Sequence, residues 1–414
     1  MIRKSISTRM LSQATQKSRK KVDCAVYGCG LSASGALAIP KLVNSNANAD
    51  GGEVTAKEAK HPKRIPFFNT FGIRHVSSGF GFSLFASDSK LFGAGINNRF
   101  QIGGQLADVS KYQDYYISGK KINLPEECGK ILEISSGRAH SLVLTASGVF
   151  ALGDNNFGQC GRDPSSTPHS VGSSTLPLKP LVFPTDSPIV SVHCSLDTSF
   201  ALDSDGNVFS FGLNEDGQCA NEEYGIQWQP RRVRGDVEGV RIRAVRGSTD
   251  TIVAVDEEGE MFVWGQTEYG QAQGVSDEIQ LNTSRCLNLS SSSIGPIATA
   301  ATTSTSVIVQ NRRGEVLVWG VGVLGMGPDT DRLQRPTRMD QPLFDGKKVT
   351  FVFAGNSSMA ALNESGRLFV WGENRFSSLG LGHSKRQLFP YQLFLPGDVK
   401  NVGLGPDHSL FLVH

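Results

Sequence analysis

The chain has 414 residues, with 41 Lys plus Arg against 39 Asp plus Glu, a formal net charge of +2, 46 glycines and 19% charged residues. That balance excludes a disordered polyelectrolyte and gives no overall pull towards nucleic acid. No apolar run approaches the roughly 18 residues that a membrane span needs, so no integral membrane segment is expected.

Residues 1–21 carry seven positive charges (Arg3, Lys4, Arg9, Lys17, Arg19, Lys20, Lys21), six hydroxyl side chains and no acidic residue. Ile2, Ile6, Met10, Leu11 and Ala14 can share one helical stripe. A basic, hydroxyl-rich, acid-free amphipathic start has the composition of a mitochondrial transit peptide, and it lacks the apolar centre of a secretory signal. The competing readings are a disordered basic arm and a nuclear signal built on Lys17 to Lys21. Without this segment the remaining chain holds 34 basic and 39 acidic residues, a net of −5.

The seven cysteines are odd in number, widely spaced and contain no CxxC pair. Neither a disulfide framework nor a metal site is expected, and Cys24 and Cys29 read as buried thiols. No cofactor is expected either.

From residue 22 onwards one unit repeats. Its first element is an apolar pair ending in Gly: Val26-Tyr27-Gly28, Leu91-Phe92-Gly93, Ala151-Leu152-Gly153, Ser210-Phe211-Gly212, Val263-Trp264-Gly265, Val318-Trp319-Gly320 and Val370-Trp371-Gly372. The glycines are 65, 60, 59, 53, 55 and 52 residues apart, and three of the four tryptophans fall in this slot. About 16 residues earlier stands an anchor, a small residue followed by His or a polar residue and an apolar run. Gly137-Arg138-Ala139-His140-Ser141-Leu142 and Gly405-Pro406-Asp407-His408-Ser409-Leu410 show it best. His140 and His408 read as buried imidazoles bonding the backbone of a neighbouring repeat. Pairs such as Ser147-Gly148, Asp205-Gly206 and Glu258-Gly259 mark a hairpin between the two elements. After the glycine comes a third element, as in Asn155-Asn156-Phe157-Gly158-Gln159 and Asn214-Glu215-Asp216-Gly217-Gln218, then a polar loop and a short apolar segment.

Each unit thus holds about four short strands and no helix, and seven such units predict an all-β fold, a seven-bladed β-propeller over residues 22–414. The chain begins with a lone glycine element, Val26 to Gly30, and ends with a lone anchor, Val402 to Val413. Together they predict one shared blade that closes the ring and removes the open sheet edge. Residues 41–66 and 163–188 read as long loops, the second carrying Leu176, Leu178, Leu181 and Phe183. Six arginines within sixteen residues (Arg231, Arg232, Arg234, Arg241, Arg243 and Arg246) read either as a local RNA-binding patch or as solvated edge strands. The chain contains no GxxxxGK[ST], GxSxG or HExxH, so no catalytic site of its own is expected.

The pattern Gly-x-x-His-Ser-Leu, hairpin, Val-Trp-Gly-x-Asn-x-x-Gly-Gln resembles the repeat of the regulator of chromosome condensation family, across almost all of residues 22–414. The anchors near Ser195 and Thr302 depart from it, lacking both Gly and His. The resemblance implies a guanine-nucleotide exchange factor. With the transit-like start, the chain is most similar to the mitochondrial branch of the family, described as acting on the inner-membrane fusion dynamin-like GTPase. That branch is also described as a non-catalytic scaffold in assembly of the mitochondrial large ribosomal subunit, acting with ribosomal RNA. A nuclear, chromatin-bound exchange factor is the third alternative, and it requires the N-terminal arm to be retained. The expected location is the mitochondrial matrix or the matrix side of the inner membrane. In the family, acidic residues in the loop after the anchor Gly face the GTPase. The matching positions here are Asp197, Asp250 and Asp407, with Arg138 and Asn356 on the same face. The competing reading is a loop Asp capping its own turn.

Overall fold

In the computed structural model, which describes residues 24–43, 57–103, 113–165 and 178–414, the short apolar runs pair into seven antiparallel sheets arranged around a channel. From the channel outwards, blade 1 holds His75–Ser78, Phe82–Ala86, Leu91–Ile96 and Tyr115–Ile122. Blade 2 holds Ile131–Ser136, His140–Thr145 and Gly148–Gly153. Blade 3 is Ile189–Cys194, Thr198–Asp203, Val208–Asn214 and Gly225–Arg232, and blade 4 is Ile242–Arg246, Thr251–Asp256, Met261–Gln266 and Gln280–Cys286. Blade 5 is Ile297–Thr302, Ser306–Asn311, Val316–Val321 and Arg332–Arg338, and blade 6 is Val349–Ala354, Ser358–Asn363, Leu368–Gly372 and Gln387–Leu393. Blade 7 joins the two ends of the chain, in the order Val399–Leu404, His408–Val413, Ala25–Leu31 and Glu58–Arg64. The expected seam is therefore present, with Ala25 to Gly30 running antiparallel to Val413 to His408 in unbroken register.

The second strand of most blades is buried along its whole length, as in His140–Thr145 and Thr251–Asp256. Sheets that are covered on both faces favour continuous apolar runs over alternation, which is why these strands show no period of two. The core is a circuit of layers between blades. Leu410 and Leu412 of blade 7 pack with Phe85 and Phe92 of blade 1, while Phe411 packs with Val370 of blade 6.

One glycine per blade faces the first residue of the second strand. These are Gly30, Gly95, Gly153, Gly212, Gly265, Gly320 and Gly372. All seven have positive φ. A Cβ on Gly212 would strike the Asp197 carbonyl oxygen, and one on Gly265 would strike that of Asp250. Only glycine lets the backbones approach this closely. In blades 7 and 1 the required residues are thus Gly30 and Gly95, two positions beyond the Gly28 and Gly93 that the sequence pattern singles out.

The tryptophan slot links neighbouring blades. Trp264 and Trp319 are fully buried, and their indole N–H groups donate to the carbonyls of Gln218 (2.8 Å) and Gln271 (3.0 Å) in the preceding blade. Trp371 is equally buried, but its indole nitrogen has no partner among the described residues. Trp264→Phe should therefore cost about 1 kcal/mol more than Trp371→Phe, the net worth of one hydrogen bond. Urea titration of the two variants measures the difference, and equal losses would refute the link.

The structure corrects several sequence expectations. Residues 41–66 are not all loop: Glu58–Arg64 is the outer strand of blade 7, and Pro40–Val43 forms a single helical turn. Blade 2 has three strands rather than four among the described residues. Where the fourth would lie, Leu181 donates a single backbone bond to Val149 (2.8 Å), while Leu181 and Phe183 pack against the core and Val182 stays exposed. Leu178 also packs inward, and Leu176 lies outside the described residues. Cys29 is fully buried, so desolvation raises its thiol far above the usual range, whereas Cys24 is only half-buried. The N-terminal residues 1–21 lie outside the described part of the chain.

Candidate functional site

The loop between the first and second strands of each blade rises on one face of the ring. Its last residue is marked in every blade by the same hydrogen bond, because the amide following the blade's positive-φ glycine donates to its carbonyl. Leu213 N donates to Asp197 O (3.0 Å), Gln266 N to Asp250 O (3.0 Å), Leu31 N to Asp407 O (2.8 Å) and Asp154 N to Ala139 O (2.9 Å). Asp197, Asp250 and Asp407 are therefore equivalent positions, and Arg138 and Asn356 share the preceding one. Adjacent loops are tied together around the channel mouth. Arg138 N donates to Leu196 O (2.7 Å), Phe80 N to Arg138 O (3.4 Å) and Ser304 N to Asn356 O (2.9 Å). The channel below has a volume of about 480 Å³ and is lined by the inner strands, with Glu133, His193 and Arg246 among its polar groups.

The structure brings Arg138, Asp197 and Asp250 together in blades 2, 3 and 4, while Asn356 and Asp407 lie in blades 6 and 7. Asp197 is only 1% exposed, which corrects the expectation of a protruding acid. It holds Arg138 instead. The Arg138 Nε donates to Oδ1 at 3.2 Å and a terminal guanidinium nitrogen pairs with Oδ2. Burial raises the Asp197 carboxyl to about 6, against the opposing pull of Arg138. The guanidinium itself is half-exposed, so it is the group that a partner could touch.

Asp250 is held differently. The Gln218 side-chain amide donates to its Oδ1 at 2.9 Å, and desolvation again raises the carboxyl above the usual range. Asp407 accepts from or pairs with His408 Nδ1 at 2.7 Å beside the seam. The loop between third and fourth strands opens on the same face and adds carboxylates that the sequence reading misses: Asp154 and Asp216, both half-buried, and the exposed Glu215 and Glu268. Their signal in the sequence is the repeated third element, which reads there only as structure. Its Gln does have a structural part, as the side-chain oxygens of Gln159 and Gln218 accept the amides of Phe157 and Asp216 (2.9 Å each).

The anchor histidines are buried as expected, but their partners are side chains. His140 Nε2 bonds Ser199 Oγ of blade 3 (3.0 Å), and His408 Nε2 bonds Ser83 Oγ of blade 1 (2.7 Å). A hydroxyl can serve a neutral ring as donor or acceptor, which a carbonyl cannot.

The six arginines are each engaged by neighbouring groups of the fold, Arg232 and Arg241 both at the Ser204–Asn207 hairpin of blade 3. Arg231 and Arg232 lie on the outer strand of blade 3, where Arg231 pairs with Glu223 (2.8 Å) and Arg232 bonds the Asn207 side chain. Nearby, Arg234 pairs with Glu238 (2.9 Å). Arg241 pairs with Glu257 (3.2 Å) and caps the Ser204 carbonyl (3.0 Å) on the opposite face of the ring. Arg243 donates to the carbonyls of Asp256 (2.9 Å) and Ile297 (3.1 Å), and Arg246 lines the channel. Among the described residues, no group of three His, Cys, Asp or Glu side chains is placed to hold a metal ion.

Comparisons with known proteins agree with this geometry. The regulator of chromosome condensation (RCC1) repeat matches residues 147–202, 205–255 and 365–412, and a second form of that repeat matches 131–159 and 189–218. The chain is 33% identical over 405 residues to the human RCC1-like G exchanging factor-like protein, covering 94% of this chain and 86% of that one. It superposes on the crystal structure of human WBSCR16 with a TM-score of 0.85 and 33% identity, covering 94% of this chain and 98% of that one. The fold also matches Prp20p from Saccharomyces cerevisiae, a protein with binding properties to Gsp1p and histones, with a TM-score of 0.73, 19% identity and coverage of 94% and 91%.

Proposed function

The chain belongs to the regulator of chromosome condensation (RCC1) repeat family, and from that membership we propose that it is a guanine-nucleotide exchange factor for a mitochondrial GTPase. By resemblance the target is the inner-membrane fusion dynamin-like GTPase. The basic, acid-free start of the chain supports the location. The match over 94% of this chain to a protein named for G exchange supports the activity.

The observation that carries the reading is the loop face of blades 2 to 4, where carboxylates surround one arginine held by a buried acid. Exchange requires no bond chemistry. A factor must bind the nucleotide-free GTPase better than the loaded one, and it shifts the equilibrium only by that difference. A GTPase that has lost its nucleotide leaves a lysine and helix N-terminal amides without their phosphates. An acidic loop face complements that state and repels the loaded one, whose phosphates carry the same sign. The ion pairs that Arg231, Arg234 and Arg241 make with Glu223, Glu238 and Glu257 offset part of the charge that the RNA-scaffold reading would use.

The test is GDP release from purified mitochondrial GTPases. The full chain should accelerate release from one of them. Arg138→Ala should cut that acceleration roughly 30-fold or more, the cost of truncating a close interfacial charge pair, with a thermal melt confirming that the variant is folded at the assay temperature. Release that stays at its intrinsic rate for every mitochondrial GTPase tried would end the reading.

A further inference from the structure

Blades 3 and 4 present the same loop acid to different partners. Asp197 and Asp250 are equivalent by backbone bonding, and each precedes a buried threonine whose hydroxyl donates to a carbonyl of the third strand: Thr198 to Leu213 O (2.7 Å) and Thr251 to Gln266 O (2.7 Å). The glutamine of the preceding blade is equivalent too. Gln159 and Gln218 are both 0% exposed, and each accepts the amide two residues before it. In blade 3 the Gln218 amide nitrogen completes its bonding on Asp250. In blade 2 the Gln159 amide nitrogen is buried with no partner among the described residues, and the acid it would reach by the same geometry, Asp197, is taken by Arg138. A buried amide left unbonded is costly, so this arrangement needs an explanation.

We propose that Gln159 is the reserve partner of Asp197: when the Arg138 guanidinium swings out to a carboxylate of the docked GTPase, the Gln159 amide closes onto Asp197 as Gln218 does onto Asp250. The inference rests on the exchange reading for the identity of the docked protein. The anion belongs to the GTPase because nucleotide leaves in the complex that an exchange factor stabilises. Breaking a buried ion pair is ordinarily expensive because a charge is left without a partner. Here the orphaned amide gains the bond that the acid loses, so the release of Arg138 exchanges one satisfied arrangement for another. Arg138 is then the contacting residue, while Asp197 and Gln159 are positioning residues that set how readily it is presented. The raised carboxyl of Asp197 fits this arrangement, since an acid held less firmly in its charged form gives up its arginine more easily.

The experiment uses the full chain and phenylglyoxal, which adds across the two terminal guanidinium nitrogens. One of these is held by Asp197, so Arg138 reacts only when released. The rate of modification at Arg138 is read by peptide mass spectrometry, with the exposed Arg335 as internal control. Gln159→Leu removes the reserve donor and should slow modification of Arg138 about tenfold, the size of one buried hydrogen bond lost from the released state. Gln218→Leu removes the same amide one blade on, from an acid that bonds no arginine directly, and should leave the Arg138 rate far less changed while costing similar stability. If Gln159→Leu does not fold, the similarly long Gln159→Met replaces it, with the same slowing expected because a thioether donates no hydrogen bond. An unchanged rate in a folded Gln159 variant overturns the proposal whatever the exchange assay shows. A slowed rate with slower GDP release supports both readings. A slowed rate in a protein that accelerates no GTPase keeps the swap and removes the exchange reading instead.

Discussion

Removing residues 405–414 abolishes the cooperative fold of the whole ring. The lost strand, His408–Val413, sits between Val399–Leu404 and Ala25–Leu31, and it joins the C-terminal half of blade 7 to the half supplied by the N-terminus. Without it the first described strand has no inner neighbour, and the last inner strand has no outer one. Leu410, Phe411, Leu412 and Val413 are each at most 3% exposed. At about 1.5–3 kcal/mol for each fully buried apolar side chain, their loss approaches the entire stability of a typical domain, about 5–15 kcal/mol. The damage also spreads in both directions, since Phe411 belongs to the layer against blade 6 while Leu410 and Leu412 belong to the layer against blade 1. The bond from His408 to Ser83 goes as well. In an open repeat array, a lost terminal unit would leave the others standing; in a closed ring it exposes an edge on each side of the gap. Circular dichroism during urea titration of the truncated chain should show no cooperative transition. A truncated chain that melts within about 5 °C of the full one would show that the seam does not carry closure, since even 1 kcal/mol moves the midpoint of a large domain by about 2–4 °C.

The ring was legible because closure imposes a constraint that repeats. Each blade needs one glycine where a side chain would strike the carbonyl before the second strand, and the spacing of those glycines survives even where other residues have drifted. The two-residue error in blades 7 and 1 shows the limit of the pattern. There the strand carries a second glycine, Gly28 and Gly93, and alternation along a strand makes i and i+2 look alike. The outer strands were less legible. Glu58–Arg64 reads Glu-Ala-Lys-His-Pro-Lys-Arg, a polar run, because a rim strand faces solvent on one side and needs few apolar residues.

The site was legible by position and misread by exposure. The family resemblance implied one face for Asp197, Asp250 and Asp407, but an aspartate in a polar loop gives no sign that a neighbouring blade will bury it. Arg138 lies 59 residues before the acid it pairs with, at nearly one repeat's distance, so only the closed stack of blades brings them together. Gln159 was visible as a repeat residue. Its unbonded amide was not, because that depends on the contrast between two neighbouring blades.

Lowering the pH from neutral to 4 should destabilise the fold, with a slope set by His140 and His193 and opposed by Asp197 and Asp250, whose carboxyls are raised by burial. His140 is fully buried and His193 is half-buried on the channel wall, and desolvation holds both rings near 3, reinforced by Arg138 and His193 around His140 and by Arg246 beside His193. The Nε2 atom of His193 lies 2.8 Å from the Gly247 amide nitrogen and 2.6 Å from its carbonyl oxygen, and the second contact opposes the lowering by burial. In the unfolded chain both titrate near 6.5. As pH falls below that value the unfolded state takes up protons that the native state refuses, so stability falls by about 1.4 kcal/mol per pH unit per histidine until the native values are reached. Asp197 acts with the opposite sign. Its native carboxyl titrates at about 6 against 3.8 unfolded, so between these values the native state binds the extra proton, and stability rises as pH drops through that window. Between about pH 6 and 4 the slope should therefore be at most about half of what the two histidines alone would give. Urea midpoints measured at closely spaced pH values give this curve. His140→Gln should flatten it by about one proton, and Asp197→Asn should steepen it between 6 and 4. A curve unchanged by His140→Gln would mean that the ring is not held neutral by its burial between blades 2 and 3. A curve unchanged by Asp197→Asn would mean that Arg138 holds the acid ionised throughout, a firmer grip than its presentation to a partner allows.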